Sequence, residues 1–257
     1  MMRNARIGRW MLAALLLLAL FAAPPLPVAA DQHDNEMIAA GQKLYEQSCI
    51  YCHGVDGQGD GPVTYFLSRD TAPRPRDFTA EPYKFRSTPS GELPLDGDLM
   101  RIITNGRPGY MPGFGGLSQD DRRSLIAYVK SLTPDFAEDR PAPEPIDIGS
   151  PLPATAQSIA VGEAVYVKLQ CAKCHGAGGQ GDGPSAGTLQ TVQGLRIPAT
   201  DLTRPSSFAG GSTPQDIYRT FMTGLNGVPM PSYAGVISEE DSWHLVNYVL
   251  SLDREGL

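Results

Sequence analysis

Cys49-Ile50-Tyr51-Cys52-His53 and Cys171-Ala172-Lys173-Cys174-His175 are one five-position word written twice. In each, two thiols stand one helical turn apart and an imidazole follows the second directly. The chain has four cysteines, and all four are used in these two words. Two thiols at this spacing can add to the two vinyl groups of one porphyrin, and the adjacent imidazole can then reach the iron. The pattern C-x-x-C-H is accordingly the attachment signal for a c-type haem.

Three other uses of paired cysteines compete with this reading. A zinc site with four thiolates needs the two pairs to converge, whereas each pair here opens its own copy of a longer repeat. A thioredoxin-like redox pair sits near a βαβ pattern, and none is visible. Two disulfides in an exported protein would leave both histidines unexplained. Haem attachment accounts for thiols and imidazoles together.

The N-terminus reads as a signal peptide over residues 1–30. Arg3, Arg6 and Arg9 precede an apolar run from Met11 to Ala23, Pro24, Pro25 and Pro27 break it, and Val28-Ala29-Ala30 offers a small-residue cleavage site. The run is shorter than the roughly 20 residues a spanning helix needs, which leaves an uncleaved anchor as the alternative. Export to the periplasm is the expected localisation. The formal net charge is −7; removing those three arginines, with no acid among the first 30 residues, makes it more negative. Such a balance argues against nucleic-acid binding. It suggests a partner with a basic docking surface, or simply a soluble surface.

The two halves align over nearly their full length. Gly57-Gln58-Gly59-Asp60-Gly61-Pro62 answers Gly179-Gln180-Gly181-Asp182-Gly183-Pro184, Asp77-Phe78-Thr79 answers Asp201-Leu202-Thr203, and Tyr110-Met111-Pro112 answers Pro229-Met230-Pro231. Near the end of each copy Leu117-Ser118-Gln119-Asp120-Asp121 answers Ile237-Ser238-Glu239-Glu240-Asp241. This is an internal duplication: a first domain over 31–137, a Pro-rich linker over 138–153 and a second domain over 154–257. Helical lead-ins are expected over Glu36–Ser48 and Gln157–Gln170. The last helix of each copy should begin at a capping box, Ser118 with Asp121 and Ser238 with Asp241. It should then bury Leu125, Tyr128, Val129 and Leu132, or Leu245, Tyr248, Val249 and Leu252. Domains this small and rich in loops bury little core alone, and a large apolar cofactor makes up the deficit. The linker reads as extended and semi-rigid, or alternatively as packed along a domain interface.

Each half resembles a class I cytochrome c, and the whole resembles a tandem dihaem cytochrome of the cytochrome c4-like kind, over essentially all of residues 36–252. The resemblance implies an all-α fold of short helices and long loops around two covalently attached haem c groups. It implies that Gly41 and Tyr45 meet Leu125 and Tyr128, with Gly162 and Tyr166 meeting Leu245 and Tyr248. The second copy departs by one residue, since Tyr166 is five before Cys171 and Tyr45 four before Cys49. Cys49, Cys52, Cys171 and Cys174 are then the attachment points, and His53 and His175 the proximal iron ligands. Pro62 and Pro184 would offer backbone carbonyls to the N–H of those histidines, fixing their tautomer.

The sixth iron position decides the chemistry, since thioether sulfur raises the potential and an open position permits catalysis. Met111 and Met230 both precede proline in the loop before the last helix, as the family's distal Met does. Core filling is the ordinary use of Met, yet Met100 aligns with Tyr218 and Met222 with Thr104, so only the Met-Pro pair recurs. Arg101 and Arg219 recur as candidates to pair with haem propionates. His33 and His244 are expected on the solvated surface. The inserts Arg69–Arg86 and Gly194–Arg204 are either docking surfaces or covers for the haem edges.

The expectation is an electron carrier with no catalytic residues, passing single electrons from a dehydrogenase or quinol-oxidising complex to a terminal acceptor through two His/Met haems. The alternatives are a haem c subunit of a larger oxidoreductase complex and a dihaem peroxidase-type enzyme.

Overall fold

The computed structural model describes residues 29–67, 73–138 and 141–255. Residues 1–28, and with them nearly all of the expected signal peptide, lie outside these. The first copy carries α1 (Ala29–Ser48), the single turn α2 (Ile50–His53), α3 (Asp96–Asn105) and α4 (Gln119–Ser131). The second repeats this order as α5 (Ala156–Lys168), α6 (Ala172–His175), α7 (Pro214–Thr223) and α8 (Glu239–Ser251). The described residues form no strand beyond three isolated bridges. Among them, no helix is long and apolar enough to cross a membrane.

The first and last helices of each copy pack together, α1 on α4 and α5 on α8. Glycine sets how closely they cross. A Cβ built on Gly41 would lie 1.9 Å from the Ser124 carbonyl oxygen, and one on Gly162 would lie 2.0 Å from that of His244. One turn on, Tyr45 packs against Tyr128 with ring centroids 5.1 Å apart, and Tyr166 against Tyr248 at 5.2 Å. Leu125, Val129, Leu245 and Val249 are buried in the same crossings. The α4 and α8 stripes therefore face as their periodicity implies.

Ser118 and Ser238 cap their helices by accepting the Asp121 and Asp241 amide N–H. A reciprocal box forms at α7, where Thr213 and Asp216 exchange bonds. The second core is larger: Trp243, 1% exposed, stacks on Tyr218 with centroids 4.6 Å apart. In the sequence repeat Tyr218 answers Met100 and Trp243 answers Arg123, so the first copy lacks this pair.

The linker is packed rather than free. The Ile146 N–H donates to the Ser87 carbonyl of the first copy, and the Asn247 amide on α8 donates to the Leu152 and Pro153 carbonyls. A second tie is Arg86, 1% exposed, which reaches across to the end of α7. Its Nη2 donates to the Thr223 carbonyl at 2.6 Å and its Nη1 to that of Gly224 at 3.4 Å. A guanidinium there satisfies carbonyls that have no intrahelical donor and faces the negative end of the helix dipole.

Candidate functional site

Each C-x-x-C-H word forms one helical turn at the end of the domain's first helix. In the first copy the Cys49 N–H donates to the Tyr45 carbonyl at 2.8 Å, and the His53 N–H to the Cys49 carbonyl at 2.8 Å. The Tyr45 hydroxyl donates to the Gly54 carbonyl at 2.8 Å, tying the far side of the turn back to α1. The second copy repeats this with Tyr166 and Gly176 at 2.7 Å. Its additional residue is absorbed at Gln170, which is left-handed at φ 60°. The Cys171 N–H then reaches back five residues to the Tyr166 carbonyl at 3.1 Å.

The glycine-rich loops close onto these turns. The Gly59 and Gly61 amides donate to the His53 and Cys52 carbonyls at 2.8 and 3.1 Å, and those of Gly181 and Gly183 to His175 and Cys174 at 2.8 and 3.2 Å. A Cβ on Gly61 would lie 2.4 Å from the Ile50 carbonyl oxygen, so no other residue fits there.

The partner of each motif histidine differs from expectation. His53 Nδ1 lies 3.1 Å from the Arg76 carbonyl oxygen, and His175 Nδ1 lies 2.9 Å from that of Thr200. Arg76 and Thr200, not Pro62 and Pro184, supply the carbonyls. The reason is that Pro62 and Pro184 follow glycines held against the back of the haem-motif turn. Arg76 and Thr200 arrive on a later loop, pinned where the Phe78 N–H donates to the Gly57 carbonyl (2.7 Å) and the Leu202 N–H to that of Gly179 (2.6 Å). Asp77 and Asp201 shape that loop by accepting from the amide and hydroxyl of Thr79 and Thr203. The recurring Asp-x-Thr was thus the signal for the acceptor, which is the residue directly before it.

A carbonyl accepts only, so Nδ1 carries the proton and Nε2 keeps its lone pair for a metal. Burial holds both imidazoles below the usual histidine range, partly offset by the carbonyl bond. Phe78 stacks on the His53 ring with centroids 4.6 Å apart. Burial, aided by Cys52, pushes the Cys49 thiol up to about 11, and burial pushes that of Cys171 likewise to about 11.

Two clefts open beside these turns. The first, of about 280 Å³, gathers Cys49, Cys52, His53 and Met111 among mainly apolar neighbours that include Phe78, Leu99, Ile103 and Val129. The second, of about 400 Å³, gathers Cys171, Cys174, His175 and Met230 with Leu202, Phe221, Tyr233 and Val249. Met111 is held in a bridge with Arg107, whose N–H donates to the Met111 carbonyl at 2.8 Å. The Leu225 N–H donates to the Met230 carbonyl at 2.9 Å. Two free thiols, an imidazole with an available nitrogen and a thioether in one apolar cleft are a donor set that fits a c-type haem. Among the described residues, no three or more His, Cys, Asp or Glu side chains gather as a metal site, so the cysteine pairs do not converge.

Other candidates fall elsewhere. Arg101 and Arg219 pair with Asp98 and Asp216 on their own helices, each at 2.6 Å. His33 is exposed. His244 is not a surface residue: its Nδ1 lies 2.7 Å from Ser158 Oγ at the α5–α8 crossing. Parts of both inserts line the clefts, Pro73 to Arg76 the first and Ile197 to Leu202 the second.

The comparisons with known proteins agree with this duplication. The family model described as cytochrome c oxidase, cbb3-type, subunit III matches residues 36–129 and again 157–249. Cytochrome c-554(547) of Halothiobacillus neapolitanus is 31% identical over 102 residues, covering 37% of this chain and 94% of that protein. Among solved structures, a chain of the Kuenenia stuttgartiensis reducing HAO-like protein complex is 41% identical. Its TM-score is 0.78, and the match covers 84% of this chain and 96% of that one.

Proposed function

This chain belongs to the family described as cytochrome c oxidase, cbb3-type, subunit III, which its two halves match in turn, and from that premise we propose that it carries single electrons through two His/Met-ligated haem c groups. Electron transfer and covalently bound haem c come with the family of cytochromes c. The number of haems, their ligands and the partners are our reading. One observation carries it: each cleft collects two cysteines, an Nδ1-bonded histidine and a methionine.

Each bound haem would supply a one-electron iron couple. The chain's residues hold and tune it. Cys49 with Cys52, and Cys171 with Cys174, would hold the macrocycle covalently. His53 and His175 would ligate through Nε2, oriented by Arg76 and Thr200, and such carbonyl bonds raise ligand basicity. Met111 and Met230 would complete the iron coordination and favour the reduced state. The apolar walls exclude water, which limits reorganisation when charge changes.

Intact mass and a haem assay on the mature protein test this. Two haems per chain, and uptake of two electron equivalents in a reductive titration, are expected; a single haem would overturn the reading. We place the protein outside the cytoplasm, with residues 1–30 a signal peptide. N-terminal sequencing of the mature chain should then begin at Asp31.

A permanent place in a larger redox complex is the second reading, favoured by the similar chain from the Kuenenia stuttgartiensis complex. Tyr65 and Phe66, 85% and 88% exposed, support a partner surface on the first domain. They lie in a turn whose Val63 and Leu67 line the first cleft, and the second copy has Gly187 and Thr188 there. Isolation at low and high salt separates the readings, because a transient electrostatic contact is screened and a permanent subunit stays bound.

A further inference from the structure

The two clefts share a wall. Lys84, Phe85, Arg107 and Tyr110, all from the first domain, line both. The sharing follows from how the domains dock. Arg86 is bonded to the end of α7, and the residue before it, Phe85, lies against Gly210, where a Cβ would be 3.4 Å from its ring. Lys84 and Arg107 are the cations on this shared wall. Neither forms an ion pair with another described residue. Burial, with Arg76 and Arg107 adding to it and Glu81 opposing, lowers the Lys84 ammonium to about 8. Partly buried like charges are costly unless an anion reaches them. Thiol and imidazole attachment leaves the two carboxylates of a haem free to serve as that anion.

We propose that Lys84 and Arg107 form one cationic seam that takes haem carboxylates from both domains, so that the same two first-domain residues set the potential of both groups. The inference rests on the two-haem reading above. A cation favours the added electron, so each seam residue raises both potentials. Loss of either lowers both, although the sequence assigns both residues to one domain.

Redox titration of the holoprotein with both midpoints resolved tests the seam, beginning with a haem count on the wild type. Lys84→Gln and Arg107→Gln should each lower both midpoints, and Lys84→Arg should leave both near wild type. Arg74→Gln serves as the control. Arg74 lines the first cleft alone, so this variant should move one midpoint at most. Lys84→Gln and Arg107→Gln variants that shift only one midpoint, or neither, overturn the seam. A variant that loses the first-domain haem alone contradicts it equally. A wild type with fewer than two haems would sink the two-haem reading and the seam together. Two haems whose midpoints move separately would sink only the seam.

Discussion

Gly162 sits against the His244 backbone so closely that a methyl group on it would lie 2.0 Å from the carbonyl oxygen. Gly162→Ala must therefore push α5 from α8, and overpacking of this kind costs roughly 1–3 kcal/mol. Gly41→Ala should behave alike in the first domain. A Cβ on Gly97, in the first turn of α3, would meet no other atom within 4 Å, and Gly97→Ala should stabilise by roughly 0.4–1 kcal/mol, chiefly by restricting the unfolded chain. Thermal unfolding followed by helical circular dichroism checks all three; a neutral Gly162→Ala would contradict the crossing.

Arg86 joins the domains through one side chain. Arg86→Met would leave the Thr223 and Gly224 carbonyls without this donor in a buried place, at a cost of about 1–3 kcal/mol. Part of the loss falls on docking and part on the first domain, whose Pro89 and Lys84 carbonyls the same guanidinium also serves. Unfolding should separate into two transitions, with faster proteolysis in the linker near Pro143 and Pro145. A single unshifted transition would speak against Arg86 as the tie.

Gln170 occupies a left-handed conformation at φ 60°, which costs a residue with a Cβ roughly 1–2 kcal/mol. Gln170→Gly should raise stability by up to about 1 kcal/mol, since glycine's greater unfolded-state freedom offsets part of the relief. Denaturant unfolding measures this. The corresponding place in the first copy has no such residue, because Tyr45 stands one position nearer to its cysteine.

Asp216 governs an acid-side loss of stability. Its burial alone would raise the carboxyl, but bonds from Thr213 and Arg219 override this and hold it below the usual aspartate range. A carboxyl with a lowered folded-state pKa contributes stability above its unfolded pKa and loses it as pH falls through the folded value. Stability should therefore fall as pH drops below the ordinary aspartate range. Asp216→Asn should be less stable near neutrality and flatter in acid. Urea unfolding across a pH series checks the slope, and parallel curves for the two proteins would contradict the assignment.

Much of this was legible because the repeat printed it twice. Gly41 with Tyr45 and Gly162 with Tyr166 announced the helix crossings, and the Met-Pro pairs stood out because Met100 and Met222 do not recur. The histidine acceptors were marked only indirectly, by the recurring Asp-x-Thr that follows them, since any residue carries a carbonyl and nothing in Arg76 or Thr200 themselves recurs. Only loop geometry selects Arg76 and Thr200 over Pro62 and Pro184. Arg101 and Arg219 drew notice by recurring, but their partners were three residues away in sequence, on their own helices. Arg86 and Lys84 were invisible for another reason. Part of their surroundings comes from the second domain, through the Thr223 and Gly224 carbonyls and the second cleft, and no local pattern encodes that docking.

The methionine ligation proposed for each iron can be read in the near-red absorption of the oxidised protein. Iron(III) bonded to thioether sulfur gives a weak charge-transfer band there, so a protein with two haems should show intensity for two such bonds. Met111→Leu and Met230→Leu should each remove about half, in line with one sulfur per iron. A wild-type band of half that strength, or a variant that leaves it whole, would contradict the account at that cleft.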